Sequence, residues 1–328
     1  MSAESRVLAV PWFLAGLIIG PAEEDVMHVF VIGATGYIGG AVALRLQAAG
    51  HRVSGLARSQ EKAAALQSIG IEPVAGTLAD VSALAAAARA ADAVVNVANA
   101  DDYEVARTLV RALAGSGKPL LHTSGTSVIA DRALGEAGGI LHTEDMPPDP
   151  LPERLLRVAL DNMLLRAAGE NVRSVVIRPS LIYGRGPGLN PHSVQIPRLI
   201  RLARERDRPA HVGRGLNVWS HVHIDDVAGF YLRALTDAPA GSVFYLENGE
   251  ASWREMAVAA AAAIGVGGEP EALSADESLR LFGAAAITTF GSNSRVSADK
   301  ARRVLGWSPA GPSLWDDLRS DYYRSAFG

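Results

Sequence analysis

Cysteine is absent from the 328-residue sequence, which excludes disulfide bridges, thiolate catalysis and metal sites built on cysteine. A reducing compartment makes little use of disulfides, so this absence favours a cytoplasmic protein. An excess of charge of one sign is also lacking, since the net charge is −4 and the lysines and arginines are scattered. We therefore expect no nucleic-acid partner.

The sequence also lacks an apolar run long enough to cross a bilayer. Residues 7–20 are apolar, but a spanning helix needs about 20 residues and Pro11 interrupts this segment, so we expect no stable membrane span. The segment follows Arg6, as the apolar core of a signal peptide does, but no convincing small-x-small cleavage site follows it. Because Met27 stands immediately before the first predicted strand, we interpret residues 1–26 as an extension outside the fold. Export or a membrane-surface role is the alternative.

What the sequence does contain is an alternation of short apolar runs with helical segments. The apolar runs predict strands at 28–33, 52–57, 71–75, 93–97, 120–123 and 174–178. The segments between them predict helices at 39–49, 61–69, 81–90, 103–114 and 155–168. This order predicts an α/β fold with a Rossmann, doubly wound parallel sheet.

The rhythm changes near residue 180, and glycine and proline become denser between 184 and 191. We therefore predict a Rossmann domain over 27–180 and a smaller mixed lobe over 181–328, interleaved with the first. In open α/β sheets, ligands bind at the carboxyl ends of the strands. We expect the second lobe to cover those ends and to bind the substrate.

A glycine-rich turn follows the first predicted strand. Gly33, Gly36 and Gly39 have the spacing that permits a tight turn, close approach of a pyrophosphate and packing of helix on strand. The N-terminus of the next helix offers free N–H groups to phosphates. The turn is therefore predicted to bind a dinucleotide. Its other candidate contacts are Thr35, Tyr37 and Ile38.

The end of the second strand bears on the choice of cofactor. An acidic residue there usually binds the ribose 2′-hydroxyl of NAD, but this chain has Arg58 and Ser59, with Lys62 one turn further. A guanidinium pairs well with a 2′-phosphate, so we predict NADP, with NAD as the alternative. The other interpretation of Arg58 is a solvated loop side chain. Leu78 and Asp80 are expected near the adenine, and Asp80 fits equally as the N-cap of the next helix.

Several segments resemble, in order and spacing, those of the extended short-chain dehydrogenase/reductase family, in its nucleotide-sugar epimerase/dehydratase group. The resemblance covers about residues 27–325, and its segments are GATGYIGG (33–40), NVANA (96–100), LLHTSG (120–125), TED (143–145), IRPSLIYGRG (177–186), HVHIDDVA (221–228) and RVLGWSP (303–309). It implies a bound nicotinamide dinucleotide, a smaller substrate lobe and a homodimer formed through the two long helices. The further cofactor contacts that it implies are Ala98, Asn99, Thr123, Pro179 and Ser180.

In that family, a Tyr-x-x-x-Lys pair on the long helix transfers the proton, and a Ser or Thr after the fifth strand orients the substrate oxygen. Ser124 best fits the serine role here, with Thr126 as the near alternative. The pair itself is missing, because residues 143–169 contain neither tyrosine nor lysine, and its positions fall at about Arg154 and Val158. Valine carries no charge and arginine stays protonated, so neither is an ordinary general base.

Two other features bear on the resemblance. Tyr103 and Arg107 have the spacing of the missing pair, but they follow the fourth strand, which is the wrong element. Where the resembled enzymes usually place an arginine for the sugar diphosphate, this chain has Trp219, with Arg214 five residues earlier. A smaller or more apolar substrate is therefore favoured, although Arg185 is a candidate substitute.

Some residues suggest alternative chemistry. His142 precedes the predicted catalytic helix and is a candidate acid or base. With Ser124 and Asp145 it also suggests a hydrolase triad, but the sequence has no Gly-x-Ser-x-Gly nucleophile elbow. His221 and His223 lie on one face of a predicted strand, yet further ligands at suitable spacing are not evident, so no metal site is predicted.

Together these residues favour an NAD(P)-binding oxidoreductase, similar to epimerases and dehydratases, that acts on a small carbonyl or hydroxyl compound. The proton is expected from Ser124, Thr126, water or His142, with Arg154 as an electrostatic clamp. Because the Tyr–Lys pair is missing, two alternatives stay open. One is an NADP-binding sensor or scaffold protein without redox turnover, and the other is a non-redox enzyme that retains the fold.

Overall fold

The computed structural model describes residues 26–328, so the prediction for the extension falls, apart from Val26, outside the described residues. The strands are β1 (His28–Ile32), β2 (Arg52–Ala57), β3 (Glu72–Ala75), β4 (Ala93–Asn96), β5 (Pro119–Thr123), β6 (Leu141–His142), β7 (Arg173–Pro179), β8 (Leu181–Tyr183), β9 (Ala210–Val212), β10 (Val218–His223), β11 (Ser242–Leu246), β12 (Glu250–Ser252), β13 (Glu271–Leu273) and β14 (Arg295–Val296). The α-helices are α1 (Tyr37–Ala48), α2 (Gln60–Ser68), α3 (Val81–Ala90), α4 (Tyr103–Leu113), α5 (Leu155–Arg166), α6 (Gln195–Arg206), α7 (Ile224–Asp237), α8 (Trp253–Ala263), α9 (Ala275–Phe282), α10 (Asp299–Leu305), α11 (Leu314–Arg319) and α12 (Asp321–Phe327).

Seven of these strands form one parallel sheet in the order β3–β2–β1–β4–β5–β7–β11. β2 and β3 extend the sheet on one side of β1, and the chain then crosses to the other side, where β4, β5, β7 and β11 follow. This reversal opens a crevice at the carboxyl ends of β1 and β4, where doubly wound folds bind ligands. A smaller sheet, β12–β10–β8, pairs antiparallel on one side and parallel on the other. The predicted Rossmann sheet with a mixed C-terminal lobe is confirmed.

The seventh strand of the large sheet comes from the C-terminal half of the chain. β11 pairs in parallel with β7 along Ser242–Leu246, about 60 residues beyond the predicted division at residue 180. Helix α7 also packs against α1 on this sheet. Residues after 180 therefore contribute both a strand and a covering helix to the first half of the fold.

The large sheet is buried on both faces. Along β1, Val29 and Val31 belong to the core on the side of α1 and α7, whereas Phe30 and Ile32 belong to the core on the side of α3, α4 and α5. This alternation explains why β1 is apolar throughout, since each face of a parallel sheet carries helices. A separate core around Trp253 holds the C-terminal lobe together. No helix within residues 26–328 is long and apolar enough to cross a membrane.

Candidate active site

The glycine turn closes tightly between β1 and α1. The N–H of Gly36 donates to the carbonyl oxygen of Gly33 at 2.9 Å, and Gly33 adopts a φ of +98°. A Cβ at Gly39 would lie 2.0 Å from that same oxygen, so no side chain fits there. Gly36 is also the N-cap of α1 and has no side chain to cap the first-turn N–H groups. This cradle fits a pyrophosphate, which those N–H groups can bind.

A cleft of about 640 Å³ opens beside the turn. Its lining residues are Ile32, Gly33, Thr35, Gly36, Leu56, Arg58, Lys62, Thr77, Leu78, Ala79, Val97 and Ala98. Five of the ten predicted contacts for the turn and the adenosine, namely Gly33, Thr35, Gly36, Arg58 and Leu78, line this cleft, which has two cationic side chains and no carboxylate in its lining. The charged side chains of this lining are therefore all cationic.

Four predicted cofactor contacts have other partners. The hydroxyl of Ser59 accepts from the Lys62 N–H at 3.2 Å and caps α2, and Asp80 caps α3 by accepting from the Ala83 N–H at 3.0 Å. The Asn99 side chain accepts from the N–H of Asp101 at 3.0 Å. The hydroxyl of Thr123 is hydrogen-bonded to that of Tyr231 on α7. These side chains shape the surrounding loops and core without lining the cleft.

A second cavity, of about 290 Å³, lies at the carboxyl ends of β5 and β7. Its lining residues are Tyr37, Ile38, Ser124, Gly125, Thr126, Ser127, Arg154, Arg157, Pro179, Ser180, Ile182, Ser193, Val194, Gln195, Trp219 and Thr289. Three of the four predicted catalytic residues, Ser124, Thr126 and Arg154, therefore share one cavity with part of the glycine turn. Tyr37 is held there by its hydroxyl, which donates to the carbonyl oxygen of Gly184 at 2.8 Å.

Ser124 is fixed by a buried carboxylate that the sequence did not single out. Its hydroxyl donates to Asp161 Oδ2 at 2.9 Å, and the same oxygen forms an ion pair with Arg178 at 2.8 Å. Asp161 lies on α5 and is fully buried. Burial raises its pKa, while Arg178 acts in the opposite direction. The serine hydrogen is thus directed away from the cavity, and the lone pairs of Ser124 remain available.

Two arginines of α5 and its N-terminal turn line the same cavity. Arg157 forms a bidentate pair with Asp101, at 2.7 and 2.6 Å, whereas Arg154 donates to the hydroxyls of Ser127 at 3.0 Å and Thr288 at 3.1 Å. Ser127 also accepts from Arg157, at 3.2 Å. Burial, followed by repulsion from Arg157, lowers the pKa of Arg154. The position expected for the tyrosine is therefore cationic.

The position expected for the lysine is apolar. Val158 packs against a small core cluster that contains Val128, Ile129 and Tyr245. The three lysines of the chain lie elsewhere: Lys62 lines the adenosine cleft, Lys118 donates to the carbonyl oxygens of Arg89 and Ala91, and Lys300 stands over the Phe244 ring. No lysine of the chain takes the place of the missing one.

His142 lies apart from Ser124. It sits on β6, which pairs with β14, and it lines a different cavity with Ile129, Asp131 and Arg295. Burial lowers the pKa of its imidazole. Its position before α5 in the sequence suggested that it reaches Ser124, but His142 lines this other cavity instead. The geometry gives no support to a proton-transfer role for His142 at Ser124.

Three other residues of the motifs singled out in the sequence have structural roles. Arg107 pairs with Glu104 on the same helix. His223 caps α7, since its Nδ1 accepts from the Asp225 N–H at 3.2 Å. Asp226 instead accepts from the N–H groups of two residues in the loop after α10, Ala310 and Gly311. Among residues 26–328, no group of three His, Asp or Glu side chains could hold a metal ion.

Comparison with known proteins identifies the relatives of the chain. The pattern of the NAD dependent epimerase/dehydratase family matches residues 29–246. An oxidase of an Acremonium species is 32% identical over 88% of this chain and 95% of its own length. The 4-hydroxy-2-methyl-3-oxo-4-farnesyl-3,4-dihydroquinoline-1-oxide ketoreductase of Stigmatella aurantiaca is 30% identical over 68% of this chain and 69% of its own. The dTDP-glucose 4,6-dehydratase of Bacillus anthracis, solved with NAD, shares the fold with a TM-score of 0.72 at 19% identity, over 92% of this chain and 96% of that structure.

Proposed function

We propose that this chain, which belongs to the NAD dependent epimerase/dehydratase family, is an NADP-dependent oxidoreductase that interconverts a carbonyl and a hydroxyl group on a small substrate. Membership of this family makes the protein an NAD(P)-dependent oxidoreductase or epimerase/dehydratase. Our proposal adds the preference for NADP, the small substrate and the active-site residues. When bound, the dinucleotide supplies or accepts a hydride at the substrate carbon. The observation that carries the proposal is the single cavity shared by Ser124, Thr126 and Arg154 with Tyr37 and Ile38 of the glycine turn.

The preference for NADP rests on the charge of the adenosine cleft. Arg58 and Lys62 line the cleft at the end of β2, and no acidic side chain stands in the lining to bind a free 2′-hydroxyl. Two cations complement a 2′-phosphate, whose charge a carboxylate at the same place would repel.

The small substrate rests on the size and walls of the second cavity. Its volume of about 290 Å³ lies just below the range, roughly 300–1,000 Å³, in which pockets bury drug-sized ligands. Trp219 is buried in the wall, where its indole N–H donates to the carbonyl oxygen of Ser292 at 2.9 Å. An aromatic wall there suits an apolar group better than a diphosphate.

Ser124 and Thr126 divide the hydrogen bonding to the substrate oxygen. In oxidation, the substrate hydroxyl gives its proton to the oxygen of Ser124, and the serine passes its own proton to Asp161 as the carbon–oxygen double bond forms. In reduction, the same protons return. Thr126 is 2% exposed, and its hydroxyl, which has no partner among the described residues, is placed to donate to that oxygen. The charge of Arg154 stabilises negative charge that develops there.

Cofactor binding and turnover test the proposal. Fluorescence titration is expected to give tighter binding of NADPH than of NADH, and a panel of small ketones and aldehydes is expected to be reduced with NADPH. Arg58→Asp is expected to reverse the cofactor preference, whereas Arg208→Asp, a matched change in an exposed loop away from the cleft, leaves it unchanged. Preference for NADH in the wild type would overturn the NADP assignment. Tight binding without turnover of any substrate would overturn the enzymatic proposal and leave a sensor.

A homodimer and a cytoplasmic location complete the proposal. Leu155 and Leu156, at the start of α5, are 55% and 82% exposed, and α5 packs beside α4 on one face of the sheet. Such apolar exposure supports an interface through these helices. Sedimentation is expected to show a dimer for the wild type and a monomer for Leu156→Lys. A monomeric wild type would contradict the proposed homodimer. Recovery of the native protein in the cytoplasmic fraction tests the location.

A further inference from the structure

We infer that Arg154 binds a carboxylate of the substrate, and that the chain therefore acts on small oxo or hydroxy acids with an apolar body. The inference rests on the proposed function, since it concerns the substrate of the same cavity. It follows from the unused donors of one guanidinium, from the balance of charge around it and from the groups that face it.

The hydrogen bonds of Arg154 leave a pair of donors. A guanidinium has five N–H groups. One on Nε donates to Ser127 at 3.0 Å, one on Nη2 to Thr288 at 3.1 Å and one on Nη1 to the carbonyl oxygen of Glu153 at 3.3 Å. One N–H on each terminal nitrogen is left without a partner among the described residues. Two donors on neighbouring nitrogens match the two oxygens of a carboxylate.

The balance of charge assigns an anion to this site. Each acceptor that Arg154 uses is neutral, whereas the neighbouring Arg157 is already paired with Asp101. Glu153, next in the chain, forms its ion pair with Arg132 at 3.0 Å. No carboxylate lines the cavity. The positive charge of half-buried Arg154 therefore has no negative partner. A single carboxylate would neutralise it, whereas a phosphate with two charges would leave an excess negative charge.

The rest of the cavity suits the remainder of such an acid. Thr126, Ser180 and Ser193 are 2%, 6% and 7% exposed, and their hydroxyls have no partner among the described residues. Buried hydroxyls of this kind favour a ligand that supplies oxygen atoms. Trp219 and Ile182 add an apolar wall. The cavity thus combines one charged position, a set of hydroxyls and an apolar surface.

The test compares acids with their neutral esters. The probes are 3-oxobutanoate, 3-oxohexanoate and 4-acetylbenzoate, each measured against its methyl ester with NADPH. The wild type is expected to favour each acid by about 10- to 100-fold in kcat/KM, as expected for loss of a charge-assisted contact. Arg154→Gln is expected to lower turnover of both acid and ester, because the charge that stabilises the substrate oxygen is lost, but to lower acid turnover about 10- to 100-fold further, so that the preference disappears. The Kd for NADPH is expected to stay within about 3-fold of wild type. Arg166→Gln, at the exposed end of the same helix, is the control and is expected to behave as wild type.

The outcomes separate this inference from the proposed function. Equal turnover of acids and esters by the wild type overturns the inference and leaves the oxidoreductase intact, and this comparison needs no variant. A large rise in the Kd for NADPH in Arg154→Gln assigns the guanidinium to the cofactor and also overturns it. If no probe is turned over, thermal shifts with each acid and its ester in the presence of NADP⁺ decide. If only the acids raise the melting temperature, and Arg154→Gln abolishes this effect, carboxylate binding is supported although the proposed turnover fails. If acids and esters raise the melting temperature equally, the inference is overturned.

Discussion

At the scale of single residues, the proposed active site depends on three buried side chains from three elements. Arg178 of β7 holds Asp161 of α5, which in turn receives the hydrogen of Ser124 at the end of β5. An uncompensated buried carboxylate would cost several kcal/mol, so the arginine is what allows the aspartate to stay next to the serine. The direction of the Ser124 hydrogen bond is therefore set by residues that do not line the cavity.

Ser124→Ala is expected to lower kcat by about 100-fold or more, because it removes both the contact to the substrate oxygen and the path to Asp161. The Kd for NADPH is expected to stay within about 2-fold of wild type, since Ser124 lies outside the adenosine cleft. Single-turnover kinetics with NADPH measures both. Ser68→Ala, on the exposed end of α2, is the control, and unchanged activity in Ser124→Ala would remove this serine from the mechanism.

The sequence could single out Ser124 and Arg154 as candidates, which the structure places in one cavity, but it could not identify their partners. Both residues occupy positions that can be matched to the family's motifs from the sequence alone. Asp161 could not be found in this way, because an aspartate within a helix is ordinarily taken for a solvent-facing residue, and only the packing of α5 on β7 places Arg178 against it. His142 precedes α5 closely along the chain, yet the structure places it in a different cavity from Ser124.

At the scale of elements, the proposed cofactor site depends on the glycine turn and on the strand before it. β1 is buried on both faces and cannot move without disturbing two cores. The turn that follows it is closed by backbone atoms alone. Its geometry therefore depends on the absence of side chains at defined positions.

Gly39→Ala is expected to weaken NADPH binding by at least about 10-fold, because the new Cβ would lie 2.0 Å from the Gly33 oxygen and force the turn to shift. Gly229→Ala is the matched control, since a Cβ there meets nothing within 4 Å on α7. That control is expected to raise the free energy of unfolding by roughly 0.5–1 kcal/mol, as alanine favours a helix interior. Urea unfolding and NADPH titration of both variants measure the effects, and normal binding by Gly39→Ala would contradict the role of the turn.

Six strands of the large sheet could be predicted from the sequence to within one or two residues, because a short apolar run between helical segments is specific for a buried parallel strand. The first helix begins at Tyr37 and not at Gly39, since the turn needs fewer residues than the glycine pattern suggested. β11 was not predicted. Its sequence, SVFYL, is largely apolar, but it lies in a region where helices and strands do not alternate regularly, so the pattern used for the other strands did not identify it.

At the scale of the whole molecule, two buried imidazoles tie stability to pH. Burial lowers the pKa of His122 to about 4, from an ordinary value of 6.5, and does the same for His221. His122 accepts from the Asn96 amide at 3.2 Å, whereas neither nitrogen of His221 has a partner among the described residues. The native state therefore keeps both rings neutral at a pH where the unfolded chain protonates them.

Stability is expected to be full above pH 6.5 and to fall as the pH drops toward 4, because between these values the unfolded chain binds protons that the native state excludes. Each histidine contributes up to about 3 kcal/mol to this loss. Urea unfolding between pH 7.5 and 4.5 measures it. His221→Gln is expected to show a shallower decline than wild type, and a free energy of unfolding that stays constant over this window would contradict the prediction.

The late position of β11 has a consequence for synthesis on the ribosome. A nascent chain that has reached residue 180 contains six strands of the large sheet, but the outer edge of β7 has no neighbour until Leu246 has been added. At roughly 5–20 residues per second, that delay lasts between about 3 and 13 s. An unpaired edge is a template for strands of other chains, so we expect this edge of β7 to be open to aggregation while the chain is still being translated. Slower translation between residues 180 and 246 would lengthen this exposure.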